Sequence, residues 1–364
     1  MIERLKSLFA RKSTSVRVAP AGPAEPAGAT ILFNAYATRL VIAQPTFSHK
    51  LHERHDLSDP TLLADLNDFC GYVLSRGDGQ MSRDKYHVIL HLQRVQHHVS
   101  ISVGVDDTDS LYAWAEQANA LLIGPDGNVC DPRGRVLVNV ADGLADPRAR
   151  LPYPERALAR KAATEAALAA RGITVPDTLP PLICEDELAL RTRDEVIERA
   201  RALLLVALRA DSVASGEAVP VDALLSKMPL ADDALSPLEQ AFLQLEAPTT
   251  QDCAPFIWRY ESLYLLEWAL GLVDQLPYPD APADSAATVA TLIDMRGPQL
   301  RSDAEILDAL DLHYRLHWHI RQSRIKEGVE VAGLDADVVG ERHRALNWLV
   351  RFQHAGWDEV DTPT

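Results

Sequence analysis

The sequence predicts an α+β protein in which a small mixed domain precedes a larger all-α domain. Short apolar and β-branched runs alternate with helical patterns only before about residue 150. After residue 151 the strand signals disappear, and alanine, leucine, arginine and glutamate dominate. The length of 364 residues suits two domains. We therefore expect an N-terminal segment at 1–29, an α+β domain at 30–150 and an all-α domain at 151–364.

The first half predicts strands and helices in the order β-α-β-β-α-β. A strand over 31–38 is followed by a polar loop, and Asp59-Pro60 caps a helix over 61–75. Alternating runs at 87–92 and 99–103 predict a hairpin. A helix over 110–119 and strands over 121–123 and 136–138 complete the unit. This order is that of a ferredoxin-like split βαβ sandwich.

The second half predicts helices from capping signals. Three capping boxes, each a Ser or Thr followed three residues later by Glu, occur at Thr192, Ser236 and Ser302. They predict helices over 193–210, 237–246 and 303–326. Apolar periodicity adds helices over 154–171, 257–274 and 335–354.

The negative charge is concentrated in the predicted helical domain. The net charge is −16, yet residues 1–150 hold 16 basic and 17 acidic side chains, which leaves 20 basic and 35 acidic in the rest. An acidic surface repels phosphate, so we expect no nucleic-acid partner for the helical domain. The same surface favours a basic protein partner.

The cysteine pattern and the lack of a signal peptide or membrane segment predict a cytoplasmic protein. The four cysteines are 54 to 69 residues apart, which excludes a zinc ribbon or a CxxC redox motif. We find neither a signal peptide nor an apolar run long enough for a transmembrane segment. The N-terminal segment combines a short amphipathic stretch with a Pro/Ala/Gly linker, which is typical of a disordered or tethering segment.

Two features admit both a chemical and a structural interpretation. His49, His52 and His55 have the spacing of metal ligands, but Lys50 and Arg54 between them oppose a cation, which favours a solvated loop.

The sequence has no Gly-rich phosphate loop, Gly-x-Ser-x-Gly elbow or His-Glu-x-x-His motif. We therefore expect no cofactor and no metal.

The second feature is a set of charged residues in apolar helical segments. It comprises the ligand-binding candidates Arg259, Glu261, Asp311, Arg315, His317, Glu341 and Arg342. One interpretation is a polar pocket that binds a small anion, or a metal held by Glu261, His317 and Glu341. The other, which we favour, is an ion-pair network that fixes helix register.

Several ordered motifs of the helical half resemble a known bacterial family. They are the segments at 258–261, 268–271, 276–279, 300–302, 311–318 and 341–349, with Trp357-Asp358 near the end. Over about residues 170–364 the chain resembles domain of unknown function 4272. The resemblance implies a helical bacterial domain, often joined to a variable second domain, and it carries over no reaction, cofactor or catalytic residue.

These observations favour binding over catalysis. The leading hypothesis is a protein-binding or regulatory module, as an immunity protein would be, acting through an acidic helical surface. The alternative is a small-ligand-binding module or hydrolytic enzyme that uses the Arg/Glu/His cluster. A third is a structural module of a larger assembly. Nothing in the sequence indicates an oligomeric state.

Overall fold

The structure is a computed structural model that describes residues 25–26, 28–231, 233–327, 331 and 333–364. The N-terminal part of the predicted tether, residues 1–24, lies outside the described residues. The chain forms a sheet with its covering helices first and a helical region second.

Six strands form one antiparallel sheet in the order β2-β3-β1-β4-β5-β6. They are β1 (Thr30–Ala37), β2 (His49–Asp56), β3 (His97–Gly104), β4 (Ala120–Ile123), β5 (Val129–Cys130) and β6 (Val136–Val138). Strand β1 pairs with β3 over its whole length, from Thr30 opposite Gly104 to Ala37 opposite His97.

Helices cover both faces of this sheet. Helices α1 (Pro60–Leu74) and α2 (Arg83–Leu92) pack on one face, and α3 (Thr108–Ala118) packs on the other. Successive side chains of a strand point to opposite faces, and β1 follows this rule. Its Tyr36 packs with the α1 cluster, whereas its Ala35 packs with the α3 cluster.

The α+β class is confirmed, but the ferredoxin-like order is not observed. The elements up to residue 138 follow the order β-β-α-α-β-α-β-β-β. A split βαβ sandwich has a helix between its first two strands, whereas β1 leads to β2 through a loop and two helices separate β2 from β3.

Two wrong assignments explain the difference. The predicted strand over 87–92 belongs to helix α2, whose N-cap Ser82 accepts a hydrogen bond from the Lys85 amide. One face of this helix buries Val88 and Leu92. A short apolar run does not distinguish a strand from a buried helix. Here the Ser82 N-cap is the local signal that the segment is a helix.

The predicted polar loop at 49–55 is strand β2. It lies at the edge of the sheet, and its ladder with β3 carries a register shift between Leu51 and Glu53. Charged side chains and bulges are usual on edge strands because they discourage pairing with other chains. The strand therefore has no alternating apolar pattern that the sequence could reveal.

The helical region contains nine α-helices among the described residues. They are α4 (Glu155–Ala169), α5 (Arg193–Ala214), α6 (Val221–Lys227), α7 (Pro237–Leu243), α8 (Thr250–Ile257), α9 (Arg259–Ala269), α10 (Ser285–Ile293), α11 (Asp303–Glu327) and α12 (Ala336–Leu349). All three predicted capping boxes are present at the starts of α5, α7 and α11. The short helices α6, α8 and α10 were not predicted as separate elements.

The core of the helical region lies between α5, α9, α11 and α12. It contains Leu203, Leu266, Leu310 and Leu346, each almost fully buried. The indoles of Trp268 and Trp348 belong to the same cluster. Within the described part of the chain, no helix is both long and apolar enough to cross a membrane.

Glu187 connects the helical region to the sheet. Its Oε1 accepts hydrogen bonds from the Thr38 hydroxyl at 2.5 Å and the Asn119 amide at 3.3 Å, while its Oε2 accepts one from the Cys184 backbone at 3.0 Å. Nearby, the Leu40 amide donates to the Asp186 carbonyl at 2.9 Å. The buried carboxylate of Glu187 is therefore fully occupied by this junction.

Candidate functional site

Asp311 and Arg315 form a bidentate ion pair inside the helical region. The Arg315 Nε and Nη2 atoms donate to the two Asp311 oxygens at 2.9 and 2.8 Å. Nη1 donates to Glu165 on α4 at 3.1 Å, and Nη2 also reaches the Pro180 carbonyl at 3.3 Å. The Arg315 side chain is fully buried, so this pair joins α11 to α4 and to the chain at residue 180.

Glu261 and Arg342 form a second buried pair between α9 and α12. The Arg342 Nε donates to Glu261 at 3.2 Å, and its Nη1 donates to the Pro277 carbonyl at 2.7 Å. The Ala283 amide donates to the other Glu261 oxygen. Burial raises the pKa of Glu261, while the Ala283 amide and Arg342 oppose that shift.

Arg259 and Glu341 form a third pair at the edge of the same helices. The Arg259 Nη1 donates to both Glu341 oxygens at 3.0 and 2.9 Å. The Ser262 hydroxyl donates to Glu341 Oε2 at 2.7 Å. Both oxygens of the Glu341 carboxylate therefore accept hydrogen bonds from side chains of α9.

His317 lies against His343, with their Nδ1 atoms 3.0 Å apart. One of the two Nδ1 atoms must therefore carry a hydrogen and donate a hydrogen bond, and the other must accept it. Burial, with Arg321 and Arg324 nearby, lowers the pKa of His317 to about 4. Burial also brings the pKa of His343 well below its usual value, so both imidazoles are neutral at pH 7.

The seven predicted residues therefore form separate pairs and do not surround one empty site. Six of them form three ion pairs, and the seventh, His317, contacts His343. Across the described residues, no three His, Cys, Asp or Glu side chains are placed to hold a metal ion. The geometry favours the structural network, and a ligand role for these residues stays a prediction.

The three histidines of β2 also have separate partners. His49 contacts the Phe47 carbonyl at 2.8 Å, His52 the Ser102 hydroxyl at 2.8 Å and His55 the Asp59 carboxylate at 2.6 Å. The Asp59 carboxylate also caps helix α1. Metal-ligand spacing along a strand therefore does not bring these imidazoles together.

A cluster of arginines around Trp357 was not predicted. The guanidinium carbons of Arg199, Arg344 and Arg259 lie 4.9, 5.6 and 5.8 Å from the indole ring. Arg199 also forms a buried ion pair with Glu239, the capping-box residue of α7. The sequence placed Trp357 in a family motif, but residues far apart in the chain carry this cluster.

A long stretch of exposed negative charge covers residues 211–252, which we call the acidic segment. From Asp211 to Asp252 the chain has eight acidic residues and one basic residue, Lys227. Among those described, the exposed acidic residues are Asp211, Glu217, Asp222, Asp233, Glu246 and Asp252. The segment includes α6 and α7 and packs on α5 through Phe242.

A cleft of about 110 Å³ lies where the sheet region meets the helical region, and we call it the junction cleft. Helix α2 forms one wall, and the segment 180–183 with α11 and α12 forms the others. None of the seven predicted residues lines the part of it described here. Its lining residues include Tyr86, Leu90, Arg94, Leu182, Ile183, Ala189, Tyr314, His343, Asn347, Val350, Phe352 and Gln353.

The backbone beside the junction cleft is strained. Arg351, Gln353 and His354 have φ values of 55°, 51° and 55°, in the left-handed region that residues with a Cβ avoid. All three line the cleft, directly after α12 ends. Strain of this kind concentrates at functional sites, where surrounding contacts maintain it.

Replacing Gln353 with glycine tests this strain. Gln353 is exposed and glycine adopts positive φ freely, so we expect Gln353→Gly to leave the free energy of unfolding unchanged or raise it by up to about 1 kcal/mol. Urea unfolding measures this change. A loss of more than about 1 kcal/mol would show that the Gln353 side chain holds the segment.

The fold and its paired charges define an α+β protein with a helical C-terminal region. A family model described as "Domain of unknown function (DUF4272)" matches residues 160–360, which is more than half of the chain. The chain belongs to this family, and the resemblance of the helical half is confirmed. The description assigns no activity. No curated protein and no solved structure matches the chain.

Proposed function

We propose that the protein is a protein-binding or regulatory module that captures a basic partner through the acidic segment. The observation that supports this proposal is the ratio of eight acidic residues to one basic residue over 211–252. Clustered charge of one sign steers an oppositely charged partner and fixes its orientation.

Exposed apolar side chains accompany this charge. Leu238 is 59% exposed and Leu245 is 42% exposed, and both lie within the acidic segment. Interfaces combine apolar contacts with charged rims, so these leucines add contact area to the electrostatic attraction. A cytoplasmic location belongs to the same proposal, because the four cysteines are unpaired, as in a reducing compartment.

Neutralising the acidic segment is expected to weaken capture of the partner about tenfold. The test variant combines Glu217→Gln, Asp222→Asn, Asp233→Asn and Glu246→Gln, which are exposed positions. Each removed charge lowers the association rate and reduces its dependence on salt. A low-salt pull-down from the producing cells recovers the partner, and calorimetry at two salt concentrations then measures its affinity.

A matched control separates local from overall charge. The control combines Asp68→Asn, Asp106→Asn, Asp280→Asn and Asp294→Asn, also exposed, so both variants change the net charge from −16 to −12. The proposal requires the control to bind like the wild type. Equal weakening in both variants, or failure to recover any basic protein at low salt, contradicts it.

A ligand-binding or hydrolytic function based on the Arg/Glu/His cluster has less support. Each of its three carboxylates is held by a specific arginine. A catalytic carboxylate has to reach a substrate, which these ion pairs oppose.

A further inference from the structure

We propose that the junction cleft binds a small neutral molecule of about one ring in size that carries a hydroxyl group, with the Tyr314 hydroxyl, His343 Nε2 and Asn347 Oδ1 as its polar contacts. The cleft combines an apolar wall of suitable size with three open polar atoms and a strained rim. It is separate from the acidic segment, so this binding does not depend on the proposed function.

The size and lining of the cleft define the body of the ligand. Its volume is about 110 Å³, and leucine, isoleucine, valine, proline and phenylalanine side chains form much of its wall. A cavity of about 150 Å³ accommodates benzene. The cleft therefore accepts a body of one ring, and a ligand of this kind buries apolar surface on both regions of the protein.

Tyr314, His343 and Asn347 form one polar patch on the wall that α11 and α12 provide. The Tyr314 and His343 rings are 6.0 Å apart in an edge-to-face arrangement. His343 and Asn347 are four residues apart on α12, so they share a face of that helix. All three residues line the cleft, and their exposed fractions are 5%, 2% and 4%.

Each of these residues has one polar atom that is accessible and unpartnered. His343 uses its Nδ1 to contact His317, and Asn347 uses its amide nitrogen to donate to a backbone carbonyl at 2.8 Å. The other polar atoms, the Tyr314 hydroxyl, His343 Nε2 and Asn347 Oδ1, have no hydrogen-bond partner among the described residues, yet they are not enclosed. Because the three side chains are otherwise buried and line the cleft, a ligand in the cleft can reach these atoms.

The Tyr314 hydroxyl lies towards α2, on the opposite wall of the cleft. Burial raises the pKa of Tyr314, and the nearby Tyr86 hydroxyl adds to this shift, which places the two hydroxyls in the same neighbourhood. Tyr86 belongs to α2, is 39% exposed and also lines the cleft. A ligand between α2 and α11 would therefore meet the Tyr314 hydroxyl.

The polar atoms and charges of the cleft favour a neutral hydroxyl group. Asn347 Oδ1 only accepts hydrogen bonds, whereas the Tyr314 hydroxyl can donate one, so a ligand hydroxyl can donate to the first and accept from the second. A carboxylate cannot donate, and the Glu187 carboxylate in the same cleft repels it. The terminal nitrogens of Arg94 are enclosed and His343 is neutral at pH 7, so neither offsets that repulsion by contact.

The strained rim of the cleft supports a binding role. Arg351, Gln353 and His354, which have positive φ, follow α12 directly and line the cleft. Glycine adopts positive φ without strain and is the usual residue after a helix, so ending α12 alone does not require side chains here. Strain that surrounding contacts maintain is typical of binding segments.

The test compares the binding of phenol and toluene to the full chain by ligand-observed NMR and calorimetry. The two molecules share a ring and have nearly the same size, but only phenol carries a hydroxyl. A purely apolar cleft would bind phenol more weakly than toluene, because phenol would lose hydration that nothing replaces. We expect phenol to bind at least as tightly as toluene, with a dissociation constant of about 1 mM or below.

Tyr314→Phe removes only the hydroxyl that is proposed to donate to the ligand. Because this hydroxyl has no partner among the described residues, we expect the variant to fold, to bind phenol about fivefold more weakly and to bind toluene unchanged. Ala189→Phe, which fills the cleft and keeps Tyr314, should abolish binding of both molecules.

The matched control is Tyr260→Phe, since Tyr260 is 6% exposed and lies outside the cleft lining described above. It should bind both molecules like the wild type. The proposal is overturned if the wild type binds phenol more weakly than toluene or binds neither at about 10 mM. It is also overturned if Tyr314→Phe binds phenol as tightly as Tyr260→Phe, or if Ala189→Phe still binds phenol. If Tyr314→Phe does not fold, the wild-type comparison and Ala189→Phe decide the outcome.

Discussion

Asp311→Leu is expected to lower the free energy of unfolding by about 3–5 kcal/mol, because it leaves the Arg315 guanidinium buried beside an apolar side chain. Arg315 is fully buried and Asp311 is 1% exposed, so water cannot take the place of the lost carboxylate. Glu165 still accepts one hydrogen bond from Arg315, at 3.1 Å, but it is partly exposed and offers weaker compensation. Chemical denaturation of both proteins at pH 7 measures the difference.

The double variant Asp311→Leu with Arg315→Met distinguishes a network from a site. If the pair serves to fix helix register, removing both charges should restore much of the stability that the single variant loses. A control in an exposed pair, Glu116→Leu beside Arg133, should change stability by less than about 1 kcal/mol. A single variant within about 1 kcal/mol of the wild type would contradict the structural role of this pair.

The sequence identified the charged residues of the helical region, but local spacing fixes only one of their three pairings. Asp311 and Arg315 are four residues apart on one helix, so their pairing follows from helix geometry alone. Arg259 pairs with Glu341 across 82 positions, and Arg342 pairs with Glu261 across 81. These pairings depend on how α9 packs against α12, which no local pattern encodes.

The same distinction applies to the fold. Helix starts were predicted well in the second half, because a capping box is a local hydrogen-bond pattern that four residues specify. Strand β2 was missed because an edge strand exposes polar side chains on both of its faces, and pairing with β3 is what makes it a strand. The junction cleft was not predicted either, since α2 and the segment at 350–354 meet only in the folded chain.

Glu267 is the buried acidic residue with the clearest consequence for stability. It is fully buried on α9, and neither carboxylate oxygen has a hydrogen-bond partner in the part of the chain that the structure describes. Burial raises the pKa of Glu267 from 4.5 to about 8. The folded protein therefore holds a proton on this side chain at pH 7, whereas the unfolded chain does not.

A raised folded-state pKa gives stability that is present below the unfolded-state pKa and is lost as the pH rises through the folded-state pKa. For Glu267 this loss runs from about pH 4.5 to about pH 8. We expect the wild type to lose about 3 kcal/mol relative to Glu267→Gln between pH 5.5 and pH 8.5. Urea unfolding of both proteins at several pH values in this range measures the difference.

The difference between the two proteins isolates Glu267, because the other carboxylates titrate in both. A second variant, Glu267→Met, removes the unpaired polar atoms as well as the charge, so its pH dependence should match that of Glu267→Gln while its stability is higher. An exposed control, Glu246→Gln, should follow the wild-type curve. Parallel curves for the wild type and both Glu267 variants would mean that water or a nearby cation reaches this carboxylate in the folded protein.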